Sequence, residues 1–156
     1  MISPAFNIGF LVHDIARLSR REFNRRAISL ELSQAQWRAL SRLALREGIN
    51  QARLAECLEI QPMTLVRHID RLEAAGLVAR KVDPKDRRAV LLYLTPKAQP
   101  VLDRMYEIGE GLWGEATAHL SEAERAAMID CMSRIKRNLQ EADCGCDHSQ
   151  KEPDRE

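Results

Sequence analysis

With 156 residues, the chain has room for one domain with a real core, or for one domain plus dimerisation arms, but two full domains would be cramped. Charged residues at 30% and aromatics at 4%, with 7 Gly and 6 Pro, argue against a β-sandwich or barrel and for a mostly helical chain. The net charge of +1 conceals an asymmetry: residues 1–97 carry 17 Lys and Arg against 10 Asp and Glu, a balance of +7, whereas residues 98–156 carry 7 against 13, a balance of −6.

The basic part therefore suits a polyanionic partner and the acidic part does not. No apolar run of about 18 residues occurs, and the N-terminus lacks a basic segment ahead of its apolar stretch, so no membrane partner and a cytoplasmic location are expected.

In chain order, Ile8, Leu11, Val12, Ile15 and Leu18 recur at helical spacing among arginines, which predicts an amphipathic helix over about 5–28. Ser33 followed three residues later by Gln36 is a capping-box pattern, and Trp37, Leu40, Leu43 and Ala44 carry a second helix toward Gly48. A short third helix spans about Asn50 to Leu58. The fourth starts near Pro62, whose missing N–H would be unpaired in a first turn anyway. It keeps Leu65, Ile69 and Leu72 on one face and stops at Gly76. The period then changes. LVARKV and AVLLYLT are β-prone runs flanking DPKDRR, which reads as a two-stranded hairpin with a long charged loop. Thr95-Pro96 opens a fifth helix through Val101, Leu102, Met105, Ile108 and Leu112. Ser121 with Glu124 caps a sixth carrying Met128, Ile129, Met132, Ile135 and Leu139. Residues 144–156 show no apolar period and read as a flexible polar tail.

This order predicts a mainly α fold with a small two-stranded β wing: a winged helix-turn-helix with flanking dimerisation helices. The DNA-binding lobe would span about 33–97 and the dimerisation helices about 5–28 and 96–141, all within a single domain over 1–143. The apolar stripes of the flanking helices are longer than so small a module can cover, which points to pairing with a second copy in a two-fold dimer.

If Leu65, Ile69 and Leu72 face inward, then Met63, Thr64, Arg67, His68 and Arg71 fall toward the other side or its borders. A hydroxyl, guanidiniums and an imidazole can read base edges in a major groove or hold phosphates, and Arg67 suits a bidentate guanine contact. Taken alone, those residues are also an ordinary solvated helix face. The hairpin shifts the balance. One short connection away, Lys85, Asp86, Arg87 and Arg88 give a second grip on double-stranded DNA, at phosphates or in a neighbouring minor groove whose negative potential suits arginine. Asp86 is expected to orient a guanidinium by charge-assisted hydrogen bonds, and Asp83 and Pro84 to shape the turn.

LVRHIDRLEAAGLVARK followed by DPKDRRAVLLYLTPKA resembles the MarR family of bacterial and archaeal transcriptional regulators, with the SlyA branch nearest in pattern, over roughly residues 5–140. The resemblance implies a homodimer, joined through its terminal helices, that represses by occluding a promoter at a pseudo-palindromic operator. It also implies relief by a small, often aromatic effector, bound between the dimerisation helices and the DNA-binding lobe. It places Thr64 and Arg67 on recognition-helix positions and Asp86 and Arg88 on the wing pair. Glu59 stands where the helix-turn-helix pattern usually has glycine, and Pro62 and Met63 give the recognition helix an unusual start. For the effector, His13, Arg17 and Trp37 offer an imidazole, a cation and an aromatic wall, although each is also readable as a solvated or core residue.

Cys144, Cys146 and His148 raise an alternative, a thiol- or metal-responsive regulator. Against it, structural zinc sites more often leave two to four residues between their cysteines and need a fourth ligand. The peroxide sensors of the family, as the resemblance implies, carry a reactive cysteine near the N-terminus, and none occurs here before Cys57. No cofactor is expected. The sequence has no nucleophile elbow, glycine-rich phosphate loop or His-Glu metal motif, so nothing in it argues for an enzyme.

Overall fold

The computed structural model describes residues 4–84 and 86–145 of the chain. Their order is α1 (Pro4–Arg26), α2 (Gln34–Leu45), β1 (Ile49–Asn50), α3 (Gln51–Leu58), α4 (Pro62–Ala74), β2 (Val78–Val82), β3 (Val90–Leu94), α5 (Gln99–Ala116) and α6 (Glu122–Gly145). Two 3-10 turns, Ala27–Leu30 and Pro96–Ala98, stand before α2 and α5. The chain divides after Leu112 into two compact units.

Local chemistry sets the helix ends of the first unit. Ser33 and Gln36 form the reciprocal capping box at the start of α2: the Gln36 N–H donates to Ser33 Oγ and the Ser33 N–H donates to Gln36 Oε1. Asn50 caps α3 by accepting the Arg53 N–H at 2.8 Å. Pro62 occupies the first turn of α4. At the other end of α4, Gly76 takes φ +72°, its N–H donates to the Glu73 carbonyl, and the Leu77 N–H donates to the Leu72 carbonyl. That is a Schellman closure, and Leu77, the residue after the glycine, is buried.

The core of this unit joins Leu40 and Leu43 of α2, Leu54 and Leu58 of α3, Leu65, Ile69 and Leu72 of α4 and Leu92 of β3, all with 1% exposure or less. Leu102 and Met105 of α5 belong to the same cluster. The three helices thus present one apolar stripe each to a single small sheet, and the opposite face of α4 is left to solvent.

The sheet corrects the two-stranded expectation. It has three strands in the order β1-β3-β2, because Ile49 and Asn50 pair antiparallel with Leu92 and Leu91. A two-residue strand is too short to leave an alternating pattern, so only its partner shows in the sequence. The same pairing ends α2 at Leu45, short of Gly48: the Gly48 N–H donates to the Leu92 carbonyl, and Glu47 accepts the Leu94 N–H. In the second unit, Ser121 and Glu124 form the expected capping box, and α6 runs to Gly145, past the point where the polar tail was expected to begin.

Candidate nucleic-acid interface

On α4 the predicted outward residues are placed as the period requires. Met63 is 73% exposed, Thr64, Arg67 and Arg71 are exposed, and His68 is half-buried. Thr64, Arg67, His68 and Arg71 line a small surface cleft of about 140 Å³. No side chain caps the N-terminal end of α4, so its partial positive charge is open to an anion. Burial, and then the neighbouring guanidiniums of Arg71 and Arg67, lower the His68 pKa. Its Nδ1 is buried and meets no hydrogen-bond partner among the described residues.

The turn leading into α4 places Glu59 at φ 55°, ψ 44°. Around it the Glu59 N–H donates to the Glu56 carbonyl and the Ile60 N–H to the Ala55 carbonyl, the same closure that Gly76 makes one helix later. The glycine missing from the pattern is therefore missing from a left-handed position, and the chain adopts that geometry regardless.

At the wing, Asp86 does something other than the expected orientation of a guanidinium. Its Oδ1 accepts the backbone N–H of Arg88 at 2.9 Å, while its carbonyl accepts the Ala89 N–H at 2.9 Å. A short carboxylate reaches the main chain two residues on more readily than the end of a long neighbouring side chain, so it fixes the turn that carries Arg88. The Asp83 N–H donates to the Ala89 carbonyl and closes the loop base. Arg87 and Arg88 are exposed, and among the described residues no carboxylate pairs with either guanidinium, nor with those of Arg67 and Arg71. Lys85 lies outside the described residues.

Arg80, within the predicted strand LVARKV, turns inward. Val78, Arg80 and Val82 share one face of β2, and Arg80 registers with the buried Leu92. Its Nε donates to Gln51 Oε1 of α3 at 3.0 Å, and its two terminal nitrogens reach Asp70 of α4 at 2.7 Å and Glu73 of α4. Burial lowers its pKa, but the hydrogen bonds it donates to Asp70 and Glu73 outweigh that and raise it, so the guanidinium is permanently charged. The signal for this role was the period-2 position next to Val78, not the charge.

The proposed effector residues do not converge. His13 is exposed and Arg17 pairs with Asp14 at 3.0 Å. Trp37 instead packs against Phe23 with centroids 4.4 Å apart and rings tilted by 41°, and its Nε1 donates to Asn24 Oδ1 at 2.7 Å. Asn24 is seven residues beyond Arg17 on α1, about 10 Å along the axis. Cys146 and His148 lie outside the described residues, as does the side chain of Cys144. Among the described residues no group of three or more His, Cys, Asp or Glu could hold a metal ion, and no helix is long and apolar enough to cross a membrane.

The family model described as MarR family matches residues 32–90, which hold α2 to α4 and the wing. Over most of its length the chain is also similar to the crystal structure of transcriptional regulator PA3341. The two are 35% identical, with a TM-score of 0.73, covering 86% of this chain and 98% of that one. The chain belongs to the MarR family. A MarR-family transcriptional regulator from Silicibacter pomeroyi is 28% identical with a TM-score of 0.75, covering 88% of this chain and 93% of that one. A cysteine-to-serine mutant of E. coli MarR, complexed with operator DNA, is 26% identical with a TM-score of 0.66, covering 84% and 94%. Membership makes the α2–β3 lobe a winged-helix DNA-binding module of a transcription regulator.

Proposed function

We propose that this MarR-family chain acts as a homodimeric repressor of the SlyA-like branch, reading a pseudo-palindromic operator. The outer face of α4 enters the major groove, and the wing tip reaches phosphates or the flanking minor groove. One observation carries the reading. Four guanidiniums without a carboxylate partner among the described residues, Arg67 and Arg71 on α4 and Arg87 and Arg88 on the wing, sit on two elements joined by one short turn. A neutral interaction module has no use for that arrangement, whereas a duplex offers phosphates and base edges to both. The operator complex of the E. coli relative supports it.

A dimer reads two half-sites about one helical turn apart only while its recognition helices keep that spacing. A small aromatic effector therefore relieves repression by binding more tightly to a misfitted spacing than to the fitted one.

The test is selection of binding sites from a random duplex pool, with Arg67→Ala and Arg88→Ala run beside the wild type at one salt concentration. Wild type should recover a two-fold-symmetric motif. Arg88→Ala should weaken binding by about 1–3 kcal/mol, and Arg67→Ala should also relax the preference at one position of each half-site. Equal recovery by all three proteins, or no motif at all, would overturn the assignment.

A further inference from the structure

We propose that Arg80 is the positioning residue that sets the wing against α4, so that discrimination between DNA sequences depends on a side chain that touches no DNA. This inference rests on the DNA-binding reading above.

The need for such a residue follows from the geometry. Two elements must meet one duplex at a fixed separation, yet the chain between them is only residues 75–77. Beyond that turn the five residues of β2 extend about 16 Å, so a tilt of about 10° at the base moves the wing tip by about 3 Å, the length of a hydrogen bond. Two points hold the base. Thr95 Oγ1 donates to the Gly76 carbonyl at 2.5 Å and the Thr95 N–H donates to the Leu77 carbonyl at 3.0 Å. Both lie at the hinge and fix position better than angle. Arg80 sits further up the strand, where a brace has leverage.

Its acceptors are spread over two helices. Asp70 and Glu73 stand three residues apart on α4, hence on one face, and Gln51 opens α3. A planar guanidinium can meet all three acceptors at once, which an ammonium on a flexible stem cannot do with the same direction. The Arg80 side chain is 23% exposed, against 56% for Asp70 and 42% for Glu73. Ion pairs this wet contribute little stability, so angle rather than strength is what the cluster supplies. A direct phosphate contact by Arg80 fits poorly, because all three of its nitrogens donate to protein acceptors and two carboxylates stand beside it. Arg80 also offsets one of those two negative charges, which together would repel phosphates next to the reading face more strongly.

The experiment compares affinity for the motif selected by wild type with affinity for a random duplex of equal length and salt. It uses Arg80→Met, Arg80→Lys and the double variant Asp70→Asn with Glu73→Gln. The ratio should fall about tenfold in Arg80→Met and in the double variant, with Arg80→Lys recovering only part, and preference should blur first at the positions under the wing. The double variant changes exposed residues and keeps the test decisive if Arg80→Met does not fold. An unchanged ratio overturns the inference. So does an equal loss on both duplexes, which marks a plain phosphate contact, or a double variant that discriminates as wild type does. Wild type that selects no motif removes the DNA-binding reading itself, and this inference with it, an outcome distinct from the other three.

Discussion

Glu59 and Gly76 do the same job in two consecutive helices, and only one of them is suited to it. Each closes its helix with a residue at positive φ, 55° for Glu59 and 72° for Gly76, and each is followed by an apolar side chain packed on the core. A side chain at positive φ meets the following carbonyl at a cost of roughly 1–2 kcal/mol, part of which glycine returns through its freer unfolded chain. Glu59→Gly should therefore raise stability by about 0.5–1 kcal/mol, and Glu59→Val should lower it, both read from denaturant midpoints with an unchanged slope. His68 gives a second residue-scale test. Its folded pKa lies below the ordinary 6.5, through burial and then Arg71 and Arg67. The unfolded chain therefore binds the extra proton first. His68 contributes stability that is fully present above about pH 6.5 and is lost as pH falls through the folded value. His68→Gln should flatten that part of the stability profile, and an unchanged slope below pH 6.5 would remove His68 as its source. At this scale the sequence shows which groups are present but not where they point. The apolar period put Arg67, His68 and Arg71 on the correct face of α4. The charge alone misassigned Asp86, which serves the backbone, and hid Arg80, which serves two helices.

Elements were legible wherever a period had room to repeat. The fourth helix was bounded by its own Pro62 and Gly76, and the wing strands by their β-branched and aromatic runs. Where a connection is fixed by pairing with a distant strand, sequence reading overran it. The segment after α2 carries no period of its own, and β3 decides its path through the Gly48 N–H and the two residues of β1. Gly48 is the residue that permits this. It holds φ +72°, and a Cβ there would lie 3.2 Å from the Tyr93 hydroxyl oxygen. Gly48→Ala should thus cost about 1–2 kcal/mol from the backbone alone. Since the strain falls on β1 rather than on the core, hydrogen exchange should show the amides of β1 and of its partner residues in β3 opening before those of α4. Uniform loss of protection across the lobe would mean that β1 is not a separate weak element.

For the whole molecule, the unresolved demand is apolar. Ile8, Leu11, Ile15 and Leu18 recur along α1 with 41% to 54% of their surface in water, and Ile129, Ile135 and Leu139 along α6 with 47% to 67%. Scattered exposure of single apolar residues is normal, but a stripe repeated along a helix, as on each of these two, marks a face made to be covered. The charge distribution agrees with a division of labour: the excess of basic residues ends at Lys97, and α6 belongs to the acidic remainder. A second copy is the occupant that the proposed function requires, since one recognition helix reads only half of a symmetric operator. Ile15→Glu and Leu139→Glu should each bury an unpaired carboxylate in such an interface, costing at least about 3 kcal/mol, more than a hundredfold in the dimer dissociation constant. Sedimentation equilibrium should then show one chain where wild type shows two. The variants should also lose the affinity gain of a full palindrome over a half-site while keeping the half-site preference of wild type, because the lobe that reads it is untouched. Two chains at every concentration in both variants would place the dimer contact elsewhere, and one chain in wild type would remove the two-fold operator from the proposal.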